Sequence, residues 1–323
     1  MFRKSLFVTS MLALLLAACG PTSTPASVPT EMPPTAAPTE VPTEAPTGIT
    51  LTDGLGREVT LAGPAQKIVS LAPSNTEILF AIGAGDQVIG RDQLSDYPEE
   101  AKDVTDVGQT FQTLNTELIV SLKPDLVLLA EINPSEHAKT LEDLGLTVYY
   151  LKNPLTLEEL CGNLEIVAQL TGHEEETVTL IESLKARVAA VDEKVASVSS
   201  RPTVFYELDG TDPAKPFTAG KGTFITQLIE RAGGQNIAAD LEGYPQLSLE
   251  QVVAANPTFI LLGDARYGVS PESIAQRPGW ENLSAIKNGQ VLPFNDDLVS
   301  RPGPRLVDAF EELAKLLHPE AFQ

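Results

Sequence analysis

Residues 114–129 read LNTELIVSLKPDLVLL, and residues 247–262 read LSLEQVVAANPTFILL. The two segments align without a gap at an offset of 133 positions. Each begins with a polar capping residue, Asn115 or Ser248, and continues through a short helical pattern and a proline into an apolar run. A polar cap favours a helix start, a proline ends the helix, and such an apolar run is typical of a buried strand. The duplicated unit therefore predicts two lobes of related structure.

The rest of the chain beyond residue 49 also alternates apolar runs with helical patterns, which indicates an α/β fold. Between the two halves, apolar residues recur at spacings of three and four from Glu174 to Ser197. This pattern predicts a helix about 36 Å long, which suits a rigid connection between two lobes, although an ordinary long surface helix has the same pattern. The predicted fold class is α/β, with two α/β lobes joined by one long rigid helix. Strands are predicted at 67–71, 87–90, 126–129, 147–151, 203–208, 258–262 and 290–294, and further helices at 74–82, 134–144, 157–170, 223–231 and 305–317.

The start of the chain carries export signals. Arg3 and Lys4 precede an apolar run that is too short to span a bilayer, and Leu16-Ala17-Ala18-Cys19 is similar to the lipobox of bacterial lipoproteins. Residues 1–18 are therefore predicted to be a lipoprotein signal peptide and Cys19 the lipidated residue, an ordinary signal peptide being the alternative. We expect the protein to be lipid-anchored in the cell membrane at its extracytoplasmic face.

Prolines and threonines dominate the segment that follows, so residues 19–48 are predicted to be the lipidated cysteine and an extended tether of about 90 Å. The remaining domain predictions are an N-terminal α/β lobe at 49–172, a bridging helix at 173–200 and a C-terminal α/β lobe at 201–323.

Composition excludes several classes of function. The 323 residues include 22 Lys and Arg against 44 Asp and Glu, a formal charge of −22 that repels nucleic acid. Two cysteines cannot form a disulfide framework or a four-thiolate zinc site, and the three histidines lie far apart, so no metal site is predicted. A cell-surface hydrolase that uses the carboxylates of Asp296-Asp297 or 174–176 remains an alternative. Such acidic runs usually only solvate a surface, and no nucleophile-elbow or zinc-protease motif supports an enzyme.

Glu117 and Glu250 occupy equivalent positions in the first turn of the two repeated helices. An acidic residue there stabilises the helix dipole, so position alone favours a structural role for both.

Six short segments of the chain occur in a characteristic order: KIVSLAPSNTE (67–77), SDYP (95–98), LKPDLV (122–127), PFTAGK (216–221), GGQN (233–236) and RPGPR (301–305). In these segments the chain resembles the class III substrate-binding proteins of ABC importers, which serve cobalamin, ferric siderophores and haem. The resemblance covers about residues 50–320, and its motifs are loose individually but specific in their order and spacing. It implies two α/β lobes joined by one long helix, with the ligand in a cleft between them.

The resemblance also implies roles for individual residues. One glutamate on each lobe docks onto arginines of the permease in this family, and the motifs place these roles on Glu117 and Glu250. No catalytic residue and no metal ligand is implied. The implied ligand-binding residues are Ser74, Asn75, Leu94, Tyr97, Phe111, Tyr206, Tyr244, Arg266, Asp297 and Arg301.

The expected function is capture of cobalamin or a related corrinoid and delivery to an ABC permease dimer with its ATPase. The alternative ligands are a ferric siderophore or haem, because Arg91, Arg266 and Arg301 could meet an anionic chelate and Trp280 is the only tryptophan. We expect a monomer that is not an enzyme, needs no cofactor and binds no nucleic acid.

Overall fold

The computed structural model describes residues 48–323. The predicted signal peptide, Cys19 and nearly all of the predicted tether lie outside the described residues. Within residues 48–323, no helix combines the length and the apolar character that a membrane span needs.

The first lobe contains a parallel sheet of β3 to β6 in the order β4-β3-β5-β6, preceded by an antiparallel hairpin of β1 and β2 that the sequence analysis did not predict. The strands are β1 (Ile49–Thr52), β2 (Glu58–Leu61), β3 (Ile68–Ser70), β4 (Val88–Arg91), β5 (Leu126–Ala130) and β6 (Val148–Leu151). The helices are α1 (Pro73–Ala81), α2 (Thr116–Leu122), α3 (Glu136–Glu142) and α4 (Leu157–Thr171).

The predicted bridging helix is α5 (Glu174–Ala196). Its 23 residues give a length of about 34 Å. The predicted periodicity is confirmed, because Ile181, Leu184, Val188 and Val191 form its buried face. The fold class predicted from the sequence is therefore confirmed.

The second lobe contains another parallel sheet, in the order β10-β9-β7-β8. Its strands are β7 (Thr203–Glu207), β8 (Gln235–Asn236), β9 (Phe259–Leu262) and β10 (Val291–Pro293). Its helices are α6 (Phe224–Arg231), α7 (Leu249–Ala255), α8 (Pro271–Ala275), α9 (Ser284–Lys287), α10 (Asp297–Ser300) and α11 (Leu306–Leu317). The sequence analysis missed β8 and the short helices α8, α9 and α10.

The two lobes share one topology. When the strands of each sheet are numbered along the chain, both sheets have the spatial order second, first, third, fourth. The repeated segments form α2–β5 in one lobe and α7–β9 in the other. Both helices end in a left-handed residue, Lys123 with φ 52° and Asn256 with φ 42°. The predicted duplication is thus confirmed down to the turn that connects each helix to its strand.

One continuous hydrophobic core joins the lobes. It includes Leu128 of the first sheet, Leu184 of α5, Tyr206 of the second sheet and Phe310 of α11. On α5, Arg187 donates to Asp308 at 2.6 Å and to Glu311 at 2.8 Å, both on α11. Because a packed core resists continuous deformation, this arrangement favours a rigid relation between the lobes.

A second connection crosses between the lobes on the side where α1 begins. Glu77 on α1 is almost fully buried, and its carboxylate accepts two hydrogen bonds from Arg305, the residue before α11, one of them at 2.8 Å from Nε. Arg301 lies 3.6 Å from the same carboxylate. Glu77 therefore pairs with one guanidinium group of the opposite lobe, that of Arg305, and lies close to a second, that of Arg301.

We predict that Glu77→Gln lowers the free energy of unfolding by about 3 kcal/mol, because it leaves the largely buried guanidinium group of Arg305 without its anion. Urea unfolding followed by circular dichroism measures this change.

The control is Lys139→Ala, which removes the exposed ion pair with Asp143. It should leave the unfolding midpoint unchanged. A Glu77→Gln variant as stable as this control would show that the cross-lobe pair does not hold the lobes together.

Candidate functional site

The candidate site is the cleft where the carboxyl ends of the two parallel sheets face each other. In an open parallel sheet, ligands bind beyond these ends, at the point where the strand order reverses. That point lies between β3 and β5 in the first lobe and between β7 and β9 in the second. The contact of Glu77 with Arg305 shows that the two edges meet.

Small polar side chains shape the first-lobe wall after β3 and β4. The Thr76 and Ser95 hydroxyls lie 2.8 Å apart, and the Ser95 hydroxyl donates to the buried carboxylate of Asp92. Asp92 also accepts the backbone N–H of Leu94 at 2.9 Å. This network fixes the turn that leaves the side chains of Leu94 and Tyr97 exposed.

A second network holds the segment before Phe111. The Thr110 hydroxyl donates to the carbonyl of Leu71 at 2.7 Å, and the Asn133 amide donates to the same carbonyl at 2.9 Å. The end of β3 is thereby tied to the loops that carry Phe111 and Ile132, both of which are exposed.

The second-lobe wall is built from residues 208–221 and 241–246. Phe217 exchanges backbone hydrogen bonds with Leu208 and Asp209, and the segment after it pairs with the residues around Tyr244. A Cβ at Gly220 would lie 2.1 Å from the carbonyl oxygen of Leu241, so this close pairing requires glycine. Phe217 and Tyr244 are left exposed.

Charged residues of both lobes act on the phenol of Tyr244. Loss of solvent raises the pKa of its phenol, and the negative charges of Asp296 and Glu131 raise it further. Asp296 comes from the second lobe and Glu131 from the first, so Tyr244 lies in the cleft between them.

Arginines and carboxylates form a cross-cleft cluster, which consists of Arg266, Arg301, Arg305, Glu77, Asp96 and Asp297. Arg301 donates to Asp96 of the first lobe at 2.6 Å and lies 3.1 Å from Asp297. Burial is the largest single influence and alone would raise the pKa of Asp96, but the hydrogen bond and the charge of Arg301, together with the backbone N–H of Asp96 and the charge of Arg266, lower it overall. Arg266 also pairs with Asp297.

The cluster includes an aromatic side chain of the first lobe. The Arg305 guanidinium lies 3.9 Å from the centre of the Tyr97 ring, a cation–π contact. Tyr97 is still 45% exposed, so its ring is available to a ligand as well.

Two of the predicted ligand residues, Tyr206 and Asn75, have buried side chains. Tyr206 is fully buried, because alternate residues of a strand face one side and this side faces the core. Its hydroxyl donates to Asp296 at 2.6 Å, so it supports the cleft from below. Asn75 is also fully buried, because it shares the inner face of α1 with Ile78 and Ile82.

The other predicted ligand residues lie at the cleft. Leu94, Tyr97, Phe111, Tyr244 and Arg266 are exposed there, Asp297 is partly exposed, and Ser74 and Arg301 are nearly buried at its edge. Their contact with a ligand remains a prediction.

Three residues of the cross-cleft cluster were not predicted to form part of the site: Glu77, Asp96 and Arg305. All three lie inside family motifs, at 67–77, 95–98 and 301–305, and this was the available signal. Nothing in the first motif marks Glu77 as the partner of an arginine 228 positions away.

Glu117 and Glu250 are both exposed in the first turns of α2 and α7. Each helix leads through a tight turn into the strand that follows, so it runs antiparallel to that strand. Its first turn therefore lies near the carboxyl end of the sheet, on the cleft side. The pKa of Glu250 is lowered by hydrogen bonds from its own backbone and from Ser248, which favours the ionised form.

Within residues 48–323, no group of three or more His, Cys, Asp or Glu side chains is arranged to hold a metal ion.

Several known proteins are similar to this chain in sequence and fold. The chain is 36% identical over 280 residues to an uncharacterised ABC transporter substrate-binding lipoprotein of Bacillus subtilis, covering 85% of this chain and 87% of that protein. It resembles the structure of the periplasmic vitamin B12 binding protein of Vibrio cholerae with a TM-score of 0.69 and 32% identity, over 80% of this chain and 99% of that one.

A periplasmic haem-binding protein from Roseiflexus has a TM-score of 0.71 and 29% identity, over 80% of this chain and 99% of that one. The family model described as "Periplasmic binding protein" matches residues 68–298. With this match, the relatives and the two-lobed fold, the chain belongs to the periplasmic binding protein family.

Proposed function

We propose that this protein captures cobalamin or a related corrinoid outside the cytoplasm and delivers it to the permease of an ABC importer. Two comparisons support the proposal: a relative that is an ABC transporter substrate-binding lipoprotein, and a structure of a vitamin B12 binding protein.

The observation that carries the proposal is the apolar rim of the cleft. Large apolar and aromatic side chains are exposed on loops at the carboxyl ends of both sheets. Exposed apolar groups grouped around one cleft indicate a binding site for a ligand with an apolar body. A bulky ring system that contacts both walls fits this rim. The rim consists of Leu94, Tyr97, Phe111 and Ile132 on the first lobe and Phe217, Tyr244 and Tyr267 on the second.

The second candidate ligand is haem or a ferric siderophore. The observation in its favour is the similar fold of a haem-binding protein. These ligands would also stack on Tyr97 and Tyr244, so the rim alone does not separate them from a corrinoid.

The family is one of binding proteins rather than enzymes. Two of the carboxylates that suggested a hydrolase, Asp296 and Asp297, have structural partners. Asp296 accepts a hydrogen bond from Tyr206, and Asp297 pairs with Arg266 and Arg301.

We predict that the purified protein binds cyanocobalamin with micromolar or tighter affinity. Isothermal calorimetry against cyanocobalamin, dicyanocobinamide, a ferric hydroxamate, a ferric catecholate and haem measures this. Tight binding of a ferric chelate or haem without cyanocobalamin would replace the ligand but keep the importer. Binding of none would contradict the proposal.

Glu117 and Glu250 are proposed to dock the protein onto the permease. The support is their symmetry: two exposed carboxylates hold equivalent positions on equivalent helices, both on the cleft side. Two such charges suit a partner with two equivalent basic sites, and complementary charges set the register of a complex.

We predict that Glu117→Ala combined with Glu250→Ala abolishes ligand uptake by the cells but leaves the ligand affinity of the purified protein intact. The reason is that neither carboxylate lines the cleft wall. Uptake of radiolabelled ligand by cells that carry the variant in place of the natural protein measures coupling.

The matched control is Glu165→Ala combined with Glu230→Ala, which removes one exposed helical glutamate from each lobe. Uptake should persist in this control. Loss of ligand binding in the Glu117 and Glu250 variant, or equal loss of uptake in both double variants, would contradict the docking role.

Membrane anchoring through Cys19 is proposed from the lipobox and from the lipoprotein relative. We predict that Cys19→Ser prevents incorporation of labelled palmitate and moves the protein from the membrane fraction to a released fraction. A Cys161→Ser control, which alters the other cysteine, should remain labelled and membrane-bound. Continued labelling of Cys19→Ser would contradict the anchor.

A further inference from the structure

The arginines that face the candidate cleft are already occupied by the protein's own carboxylates. Arg301 is only 8% exposed, and its two terminal nitrogens are engaged by Asp96 and Asp297. Arg305 is held by Glu77, and Arg266 by Asp297. Three guanidinium groups thus meet three carboxylates.

Two further carboxylates lie beside this cluster, one in each lobe: Asp92, which is buried, and Asp296, which is partly exposed. Asp92 accepts a hydrogen bond from Ser95, and Asp296 accepts one from Tyr206. Arg91, which the sequence suggested as an anion ligand, donates instead to the backbone carbonyls of Ala101 and Asp92, both at 2.9 Å, inside the first lobe.

An anionic ligand therefore meets two obstacles. To bind Arg301 it must displace a carboxylate, because a guanidinium held in two ion pairs offers few free donors. Arg266 is more accessible, since it is 45% exposed and pairs with Asp297 through one nitrogen, but an anion bound there lies next to that carboxylate. It must also approach the carboxylates that remain, and like charges in contact disfavour the wrong partner. An uncharged ligand meets neither obstacle and still contacts the apolar rim.

We infer that Asp96 is a specificity-determining residue that reserves the cleft for ligands without net negative charge, an inference that rests on the proposed function of this cleft. Asp96 reaches Arg301 from the opposite lobe at 2.6 Å, closer than Glu77 at 3.6 Å, and its side chain is 46% exposed at the cleft, whereas Glu77 is buried. The Asp96 carboxylate therefore occupies the position on Arg301 at which the carboxylate of an anionic ligand would bind.

The test compares binding of cyanocobalamin, which has no net charge, with binding of haem, which has two carboxylates, and of a ferric tris-catecholate, which is a trianion. Calorimetry on the full-length protein in detergent gives the dissociation constants. The natural protein should prefer cyanocobalamin to both anions.

Asp96→Asn keeps the shape of the side chain and frees one donor of Arg301. It should shift the ratio of haem to cyanocobalamin affinity about tenfold towards haem, the effect of one charge-assisted hydrogen bond. Asp96→Glu, which retains the charge, should keep the natural ratio. Asp143→Asn removes the same charge from an exposed pair on α3 and should also leave the ratio unchanged.

Four outcomes decide whether the cleft excludes anionic ligands and whether Asp96 is responsible. If the natural protein binds haem or the catecholate as tightly as cyanocobalamin, the inference is overturned and the importer proposal stands. If Asp96→Asn changes the ratio no more than Asp143→Asn does, the role of Asp96 is overturned. If a neutral ferric hydroxamate binds and cyanocobalamin does not, the inference holds and the corrinoid is replaced. Binding of no probe overturns both.

Discussion

The ion pair between Glu77 and Arg305 connects the two carboxyl edges on which the site depends. Glu77 is almost fully buried in α1 of the first lobe, and Arg305 immediately precedes α11 of the second. A buried carboxylate is costly unless it is paired, so each lobe requires the other for this contact. Together with the continuous core along α5, the pair sets the width of the cleft, and the positions of both apolar walls follow from it.

Duplication explains why both walls offer similar chemistry. Each lobe has the same strand order, and each contains a helix that ends in a left-handed residue and turns directly into a buried strand. Equivalent loops therefore reach the cleft from both sides, and Glu117 and Glu250 have equivalent surroundings. The symmetry does not extend to the charges, because all three arginines of the cross-cleft cluster come from the second lobe, and two of them, Arg301 and Arg305, pair with carboxylates of the first.

Most of the predicted ligand residues on loops are exposed, whereas two of those in regular elements are fully buried. Leu94, Tyr97 and Phe111 follow strand ends and lie at the cleft as expected. Tyr206 and Asn75 belong to a strand and a helix, in which one residue of register decides between core and solvent. A motif match carries no information on that register.

Local signals in the sequence determined the elements, the duplication and the bridging helix, because caps, prolines and hydrophobic spacing act over a few residues. They also marked Glu117 and Glu250 as equivalent. Only the tertiary structure decided which charges meet: Asp96 and Arg301 lie 205 positions apart, and Glu77 and Arg305 lie 228 apart. Pairing at that separation depends on how the two lobes pack, and it decides whether the arginines of the cleft are free for a ligand or neutralised by the protein itself.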